Sequence, residues 1–158
     1  MMEDYVQLLR ESLEKKVSLL ERISVRNEQQ RQMFGDDKTS PDDLEANIQA
    51  KGMMIDQILA LDDGFEQLFG RVEQELSEHR EDYKDEIHAM QDLIRKITDL
   101  TARVESQEQR NRNLASSFFA GKKNSAKQIR KGAAAATRYY QGMMRDNVIK
   151  PQILDTKE

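Results

Sequence analysis

The sequence predicts an all-α protein: an elongated antiparallel helical bundle or coiled coil of three helices, followed by a C-terminal helix. Three observations support this prediction. Apolar residues recur with helical spacing through most of the chain. Only two prolines occur in 158 residues. The composition is 37% hydrophobic and 34% charged, which favours elongated helices over a thick globular core or a sheet.

The first helix is predicted from about Asp4 to Met33. Apolar residues follow one face of it at steps of three and four, so the helix needs a partner along that face. This stripe consists of Val6, Leu9, Leu13, Val17, Leu20 and Ile23. A turn is expected to follow at residues 35–39, where glycine, aspartate and threonine are concentrated.

The second helix has a strong start signal. Ser40 provides an N-cap hydroxyl, Pro41 stands at the first helical position, and Asp42 and Asp43 lie in the first turn. We expect this helix to end at Leu61, since the Asp-Asp-Gly sequence that follows can break it and cap the next helix.

The third helix is predicted from about Asp63 to Phe118 and is very long. An apolar residue returns every seven positions along most of it, at Phe69, Leu76, Tyr83, Met90, Ile97 and Val104, and Asn111 takes the next position. Such a helix would be roughly 80 Å long against about 30 Å for the second. We therefore expect its far half to overhang, leaving apolar residues bare as a binding surface. Asn111 is interpreted as a solvated residue, or alternatively as the one that sets the register of a dimer.

Charge is distributed unevenly along the chain. Residues 1–109 hold 14 Lys and Arg against 26 Asp and Glu, a net charge of −12. Residues 110–150 hold 10 Lys and Arg against one acid, a net charge of +9. Either the basic end docks on the acidic part or it binds an anionic partner, and the sequence leaves both open.

The fourth helix is predicted within residues 122–158, called here the basic segment. Ser125 and Gln128 have the spacing of a capping box at its start. Its apolar seam consists of Ala126, Ile129, Ala133, Ala136, Tyr140 and Met143. Alanines bury little area, so this helix should dock weakly and be mobile when no partner is bound. Residues 1–121 are thus expected to form the three-helix part. Residues 122–158 are expected to form a basic, Ala-rich helix and tail that binds a partner or docks.

We expect no enzyme, and no catalytic, cofactor-binding or metal-binding residues. A Gly-rich phosphate loop and a triad pattern are both missing from the sequence. His79 is interpreted as a polar residue at a helix contact, with a metal site shared with Glu75 as the less favoured reading. His88 follows Asp85 by three residues, which is only a fragment of a helical di-metal motif.

The chain is expected to be cytoplasmic. It has no apolar run near the ~20 residues that span a bilayer and no basic-then-apolar leader at its start. The absence of cysteine excludes disulfides within the chain but does not identify the compartment. Basic residues interleave with aromatic ones between residues 118 and 140, which would suit single-stranded nucleic acid. The acidic part would repel a polyanion, so nucleic-acid binding is the least favoured reading.

Most of the chain resembles the FlgN-like family of flagellar type III export chaperones, with the FliT-like chaperones as neighbours. The resemblance rests on residues 5–16 and 44–62, where Lys51 precedes an apolar turn. The ending, residues 128–140 with Pro151 and Gln152, is similar to clostridial-type members.

The resemblance implies a chaperone that holds the C-terminal helices of hook–filament junction proteins, prevents their premature assembly and delivers them to the export apparatus. The expected partner-binding residues are Ile97, Leu100, Val104, Leu114, Phe118, Ile129, Tyr140 and Met143. The alternative from another class is a homodimeric coiled-coil scaffold or adaptor, joined through the seam of the third helix. A homodimer is compatible with either reading.

Overall fold

The computed structural model describes residues 2–121, and within this range it contains three α-helices, a short 3-10 turn and no strand. The helices are α1 (Met2–Phe34), α2 (Pro41–Glu78) and α3 (Lys84–Phe118), and the 3-10 turn spans Phe119–Gly121. The all-α prediction is confirmed. None of the helices in this range is both long and apolar enough to cross a membrane.

The predicted C-terminal helix lies outside the described residues. The same holds for the tail after it and for Ile129, Tyr140 and Met143 among the expected partner-binding residues. The structure therefore describes the acidic part of the chain, up to the residue that precedes the basic segment.

The predicted end of the second helix at Leu61 is wrong, because α2 continues through Asp62–Gly64 to Glu78. Gly64 costs about 1 kcal/mol of helix propensity relative to alanine. Burial outweighs this cost, since Phe65 and Phe69 beyond the glycine are each 5% exposed and their rings stack with centroids 5.9 Å apart. The tertiary contacts of α2 override its local break signal.

The helix instead breaks at residues 79–83, inside the predicted third helix. His79 caps the C-terminal end of α2 with φ −123°, and its backbone N–H donates to the carbonyl of Glu75. No apolar residue stands between Leu76 and Tyr83, so this stretch has nothing to bury. The very long third helix does not exist, and the three helices have similar lengths of 33, 38 and 35 residues.

The first helix, α1, packs against both α2 and α3. Along α1, Lys16 meets Asp62 whereas Gln30 meets Asn47, so α1 and α2 are antiparallel. Glu21 meets Lys96 whereas Gln30 meets Asn111, so α1 and α3 run in the same direction. The predicted overhang is therefore absent.

The sequence signals for the stripe of the first helix and for the start of the second agree with the structure. All six residues of the predicted α1 stripe are buried. The hydroxyl of Ser40 accepts a hydrogen bond from the backbone N–H of Asp42 at 3.2 Å, and Pro41 begins α2. This cap satisfies one of the N–H groups that the first turn of a helix leaves unpaired.

Among residues 2–121, apolar side chains form two separate clusters. The main core contains 20 buried residues from all three helices, running from Val6 to Ile23 on α1, from Met54 to Leu76 on α2 and from Ile87 to Val104 on α3. The end cluster contains four buried residues, which are Phe34, Leu44, Ala115 and Phe119. It lies at the C-terminal end of α3.

Candidate partner-binding surfaces

A buried polar layer separates the main core from the end cluster. On each helix it falls between the last residue of one cluster and the first residue of the other. The seven side chains of this polar layer are each 7% exposed or less, and they are Asn27, Gln30, Asn47, Lys51, Gln107, Glu108 and Asn111. All three helices contribute to the polar layer.

An ion pair lies at the centre of the polar layer. Lys51 Nζ is 2.5 Å from Glu108 Oε1 and donates a second hydrogen bond to Asn27 Oδ1 at 2.8 Å. Removal from water lowers the pKa of Lys51 from its ordinary value, and the attraction of Glu108 opposes that shift. Buried charges of this kind are tolerated only when paired and hydrogen-bonded, as both are here.

Amide side chains complete the polar layer. The Asn27 amide donates to Gln107 Oε1 at 3.2 Å, and the Gln30 amide donates to Asn47 Oδ1 at 3.2 Å. The Asn111 amide donates to Gln30 Oε1 at 3.1 Å and to the Asn27 carbonyl at 2.9 Å. Because these partners come from different helices, sliding one helix along another would leave buried polar groups unpaired. The polar layer therefore sets the register of the three helices.

Asn111 is thus neither solvated nor available for a dimer in this fold, since its side chain is 2% exposed inside one chain. The sequence did contain a signal for the polar layer. Polar residues interrupt the inward-facing stripe at Asn27, four residues after Ile23, and at Asn111, seven residues after Val104. Only the fold shows that these interruptions meet at one level.

A second buried ion pair lies within the main core. Lys16 Nζ is 2.7 Å from Asp62 Oδ1, and the two side chains are 2% and 14% exposed. Burial lowers the pKa of Lys16, against the opposing effect of Asp62. This contact ties α1 to α2 at the residues where the sequence predicted a helix break.

The expected partner-binding residues divide into three groups. Ile97, Leu100 and Val104 lie in the main core and are 3%, 6% and 0% exposed, because α1 covers the face that the predicted overhang would have left bare. Leu114 and Phe118 are partly buried beside the end cluster. The remaining three lie beyond the described residues.

Three phenylalanines pack together at the C-terminal end of α3. The ring centroids of Phe34 and Phe118 are 5.7 Å apart, those of Phe34 and Phe119 are 6.1 Å apart, and those of Phe118 and Phe119 are 4.9 Å apart. Their tilted and edge-to-face geometry is the favourable one for aromatic pairs. Leu114 and Phe118 thus combine partial exposure with proximity to the start of the basic segment.

Two cavities lie away from the end cluster. A groove of about 460 Å³ between α1 and α2 is lined by Lys15, Ser18, Leu19, Arg22, Gln57, Ala60 and Leu61. A cleft of about 580 Å³ beside the α2–α3 turn is lined by Glu3, Val6, Gln7, Arg10, Glu11, Glu14, Asp82, Tyr83 and Glu86. Partial burial and nearby carboxylates, Glu75 first among them, raise the pKa of Tyr83 in this acidic cleft.

His79 was expected to lie at a contact between helices, but it does not. Its side chain is 47% exposed, with Nε2 3.8 Å from Glu75 Oε1 and Nδ1 3.6 Å from Asp82 Oδ2. Glu75, Glu78 and His79 offer ligand atoms within 4.8 Å of one another. Exposed groups of this kind are common on protein surfaces, and no site is assigned to this one.

Comparison of the chain with known protein families, with curated proteins and with solved structures found no match. The class of the protein is therefore taken from its own fold, which is all-α. The acidic three-helix part contains the polar layer, and a basic amphipathic sequence follows it in the chain.

Proposed function

We propose that this protein is a cytoplasmic flagellar type III export chaperone of the FlgN-like kind. In this role it binds the C-terminal helices of hook–filament junction proteins, prevents their premature assembly and aids their export. The observation that carries the proposal is the division of the chain at Gly121, where an acidic part with its own closed core meets a second amphipathic sequence of opposite charge.

The two parts differ in what they need from a partner. Residues 1–121 hold 16 Lys and Arg and 26 Asp and Glu, and their three helices already cover each other's apolar faces. Residues 122–158 hold nine Lys and Arg and three Asp and Glu, together with the apolar seam of the predicted fourth helix. An amphipathic helix is a standard means of binding another helix, so the second part is the natural site for cargo.

In this proposal, the primary cargo contacts come from residues on both sides of Gly121. Leu114 and Phe118 are partly buried at the end cluster, and Ile129, Tyr140 and Met143 follow on the predicted seam. Cargo could reach the earlier candidates in the main core only if α1 separated from α3. These core residues therefore belong to a second stage of binding in this proposal.

The scaffold alternative is less well supported by the packing. A homodimer through the α3 seam would need the face that carries Ile97 and Val104, and α1 of the same chain covers that face. Such a dimer would have to exchange helices between chains.

Affinity capture tests the proposal. The tagged full chain is captured from a lysate of its source organism at moderate salt, and the co-purifying proteins are identified by mass spectrometry. Enrichment of flagellar junction proteins is the expected result. Recovery of the protein alone would favour the scaffold, and recovery of nucleic acid with ribosomal proteins would favour the nucleic-acid reading.

Paired substitutions test the seam itself. Tyr140→Ala with Met143→Ala should weaken cargo binding by more than about tenfold, since both remove apolar contacts from the predicted interface. Tyr139→Ala with Met144→Ala removes the same residue types from neighbouring positions off the seam and should have little effect. Equal loss in both pairs would contradict a defined seam.

Truncation after Gly121 gives the broader test. It should abolish co-elution with cargo while far-UV circular dichroism still reports the three helices, because they bury apolar residues together in the main core and the end cluster. Unchanged cargo binding by the truncated protein would refute the assignment of the C-terminal segment.

A further inference from the structure

The groove between α1 and α2, called here the α1–α2 groove, is an apolar depression on the outside of the molecule. Its floor includes Leu19, which is 7% exposed, and the partly buried Leu61. Ala60 lines the α2 side and is exposed, so only a methyl group stands between the α2 backbone and an incoming chain. Small side chains at such a position permit another helix to approach closely.

Exposed apolar residues extend both walls of the groove. Leu8 and Val25 are 50% and 58% exposed, and each lies seven residues from a groove-lining residue of α1, Lys15 and Ser18 respectively. Residues seven apart share one face of a helix. These two apolar side chains therefore continue the α1 wall at its two ends.

Met53 continues the α2 wall in the same way. It is 67% exposed and lies four residues before Gln57 and seven before Ala60. The hydrogen bond between Lys51 and Asn27 places this end of the α2 wall at the level of Val25.

The opposite end of the α2 wall is open. Gly64 lies one turn beyond Ala60, and a Cβ added there would meet nothing within 4 Å. From Leu8 to Val25 the α1 wall covers 17 residue steps, or about 26 Å at 1.5 Å per residue. A helix of about five turns would fit along it.

The charge of the α1–α2 groove is opposite to that of the surrounding protein. Its two ionisable lining residues are Lys15 and Arg22, although acids outnumber bases by 26 to 16 in residues 1–121. Within the described part of the chain neither cation takes part in an ion pair. Both are therefore available to an acidic group on whatever occupies the groove.

We propose that the α1–α2 groove binds an amphipathic helix of a partner protein, about five turns long, whose apolar face is flanked by Asp or Glu. The apolar face covers Leu19, Ala60 and Leu61, and the flanking acids pair with Lys15 and Arg22. This is helix-in-groove recognition with charge complementarity at the rim.

The protein's own C-terminal segment is a poor occupant by the same chemistry. It carries nine basic residues against three acidic ones, so it would bring like charge to Lys15 and Arg22. The groove is consequently a second binding site, separate from the segment proposed above to hold cargo. Its test does not depend on the export function.

Two synthetic peptides provide the defined probe. Both carry the same apolar seam over 18 residues, and their flanking positions are all Glu in one peptide and all Lys in the other. Fluorescence anisotropy with the purified full chain should show the Glu peptide binding at least ~10-fold more tightly, since its acids pair with both groove cations. Equal binding of the two peptides would overturn the proposal.

Charge reversal locates the site. Lys15→Glu with Arg22→Glu should reverse the preference between the two peptides. The matched control is Arg103→Glu with Arg112→Glu, which makes the same change of net charge at exposed positions of α3. If the control pair alters peptide binding as much as the groove pair does, the attraction is not specific to the groove and the proposal fails.

A photo-crosslinking residue at Ala60 identifies the occupant in cells of the source organism. The expected adduct joins position 60 to a peptide of another protein that has helical apolar spacing and flanking acids. The control places the photo-crosslinking residue at the exposed Ala102 on α3, where this adduct should not form. An adduct to residues 122–158, an adduct to a second copy of this chain, or no adduct specific to Ala60 would each overturn the proposal.

Discussion

The main core and the end cluster are built by the same three helices, yet they differ greatly in extent. The main core buries 20 apolar residues, whereas the end cluster buries four. Because hydrophobic stabilisation scales with the apolar area removed from water, most of it lies in the main core. Within residues 2–121 the end cluster is therefore the less stabilised end, and it is also the end proposed to bind cargo.

The polar layer explains how two such regions can coexist in continuous helices. It replaces apolar contacts with hydrogen bonds and an ion pair, which contribute less net stability than a packed apolar layer but require one register. It also interrupts the apolar contact between the two clusters. We therefore expect the end cluster to open locally while the main core stays closed.

The largest expected effect comes from breaking the ion pair of the polar layer. Lys51→Ala leaves Glu108 buried and without its cation, and should lower the free energy of unfolding by about 3–5 kcal/mol. Lys51→Met combined with Glu108→Leu removes both charges and should be neutral or stabilising. Urea denaturation measures both variants. The double variant should also bring hydrogen exchange in the end cluster closer to that in the main core.

A surface pair provides the control for this prediction. Arg10 and Glu14 form an ion pair at 3.2 Å with both side chains about half exposed, and Arg10→Ala should cost less than about 1 kcal/mol. If Lys51→Ala were no more costly than Arg10→Ala, the Lys51–Glu108 pair would not behave as a buried ion pair whose charges depend on each other.

The two regions can be compared by the same substitution in each. Leu20 in the main core and Leu44 in the end cluster are both 0% exposed. Leu20→Ala should lower the global free energy of unfolding by about 3–5 kcal/mol, and Leu44→Ala by about 2 kcal/mol, since a site with fewer buried neighbours relaxes more readily. Urea denaturation supplies the measurement, and equal losses would mean that the helices unfold as one undivided unit.

The N-cap of α2 offers a milder change at the end cluster. Ser40→Ala removes the hydroxyl that accepts from the Asp42 N–H and should cost about 1 kcal/mol. Hydrogen exchange should quicken in the first turn of α2 and remain unchanged near Ile58. Faster exchange at Ile58 would show that the main core depends on the cap, contrary to the division described.

The smallest expected effect concerns Glu28 at the edge of the polar layer. Its hydrogen bond from Arg110 Nη2, 3.1 Å from Glu28 Oε1, is the chief cause that lowers the pKa of Glu28 below 4.5. A lowered folded-state pKa stabilises the protein above the unfolded-state pKa, and that contribution is lost as the pH falls through the folded-state pKa. The contribution is small because the Glu28 side chain is 44% exposed.

Side-chain NMR titration measures this shift directly. The midpoint for Glu28 should lie below 4.5 and should rise in Arg110→Ala. An unchanged midpoint in that variant would assign the shift to another neighbour.

The sequence predicted the parts of the fold that local patterns control. The apolar stripe of α1 and the cap at Ser40 agree with the structure because a helical face and an N-cap involve residues within a few positions of each other. The partner-binding assignment was less complete. Ile97 and Val104 were selected as apolar seam residues, but the sequence could not show which helix covers them.

The position of the α2–α3 turn shows why the remaining pattern was ambiguous. Leu76, Tyr83 and Met90 are spaced seven apart across the turn, so the repeat passes through it without interruption. Asp62–Gly64 carries the stronger local break signal but lies inside a helix. The choice between the two positions depends on burial, which is a property of the whole fold.

By itself, the sequence determined the helical class, the apolar stripe of α1, the N-cap of α2, and the opposite charges of the two parts of the chain. These features follow from residue types and short spacings. Only the tertiary structure decided where the third helix begins, which apolar residues are covered, and that polar residues from three helices meet in one layer. Those outcomes depend on contacts between residues far apart in the sequence, such as Asn27 and Asn111, which are 84 positions apart and whose pairing no local pattern specifies.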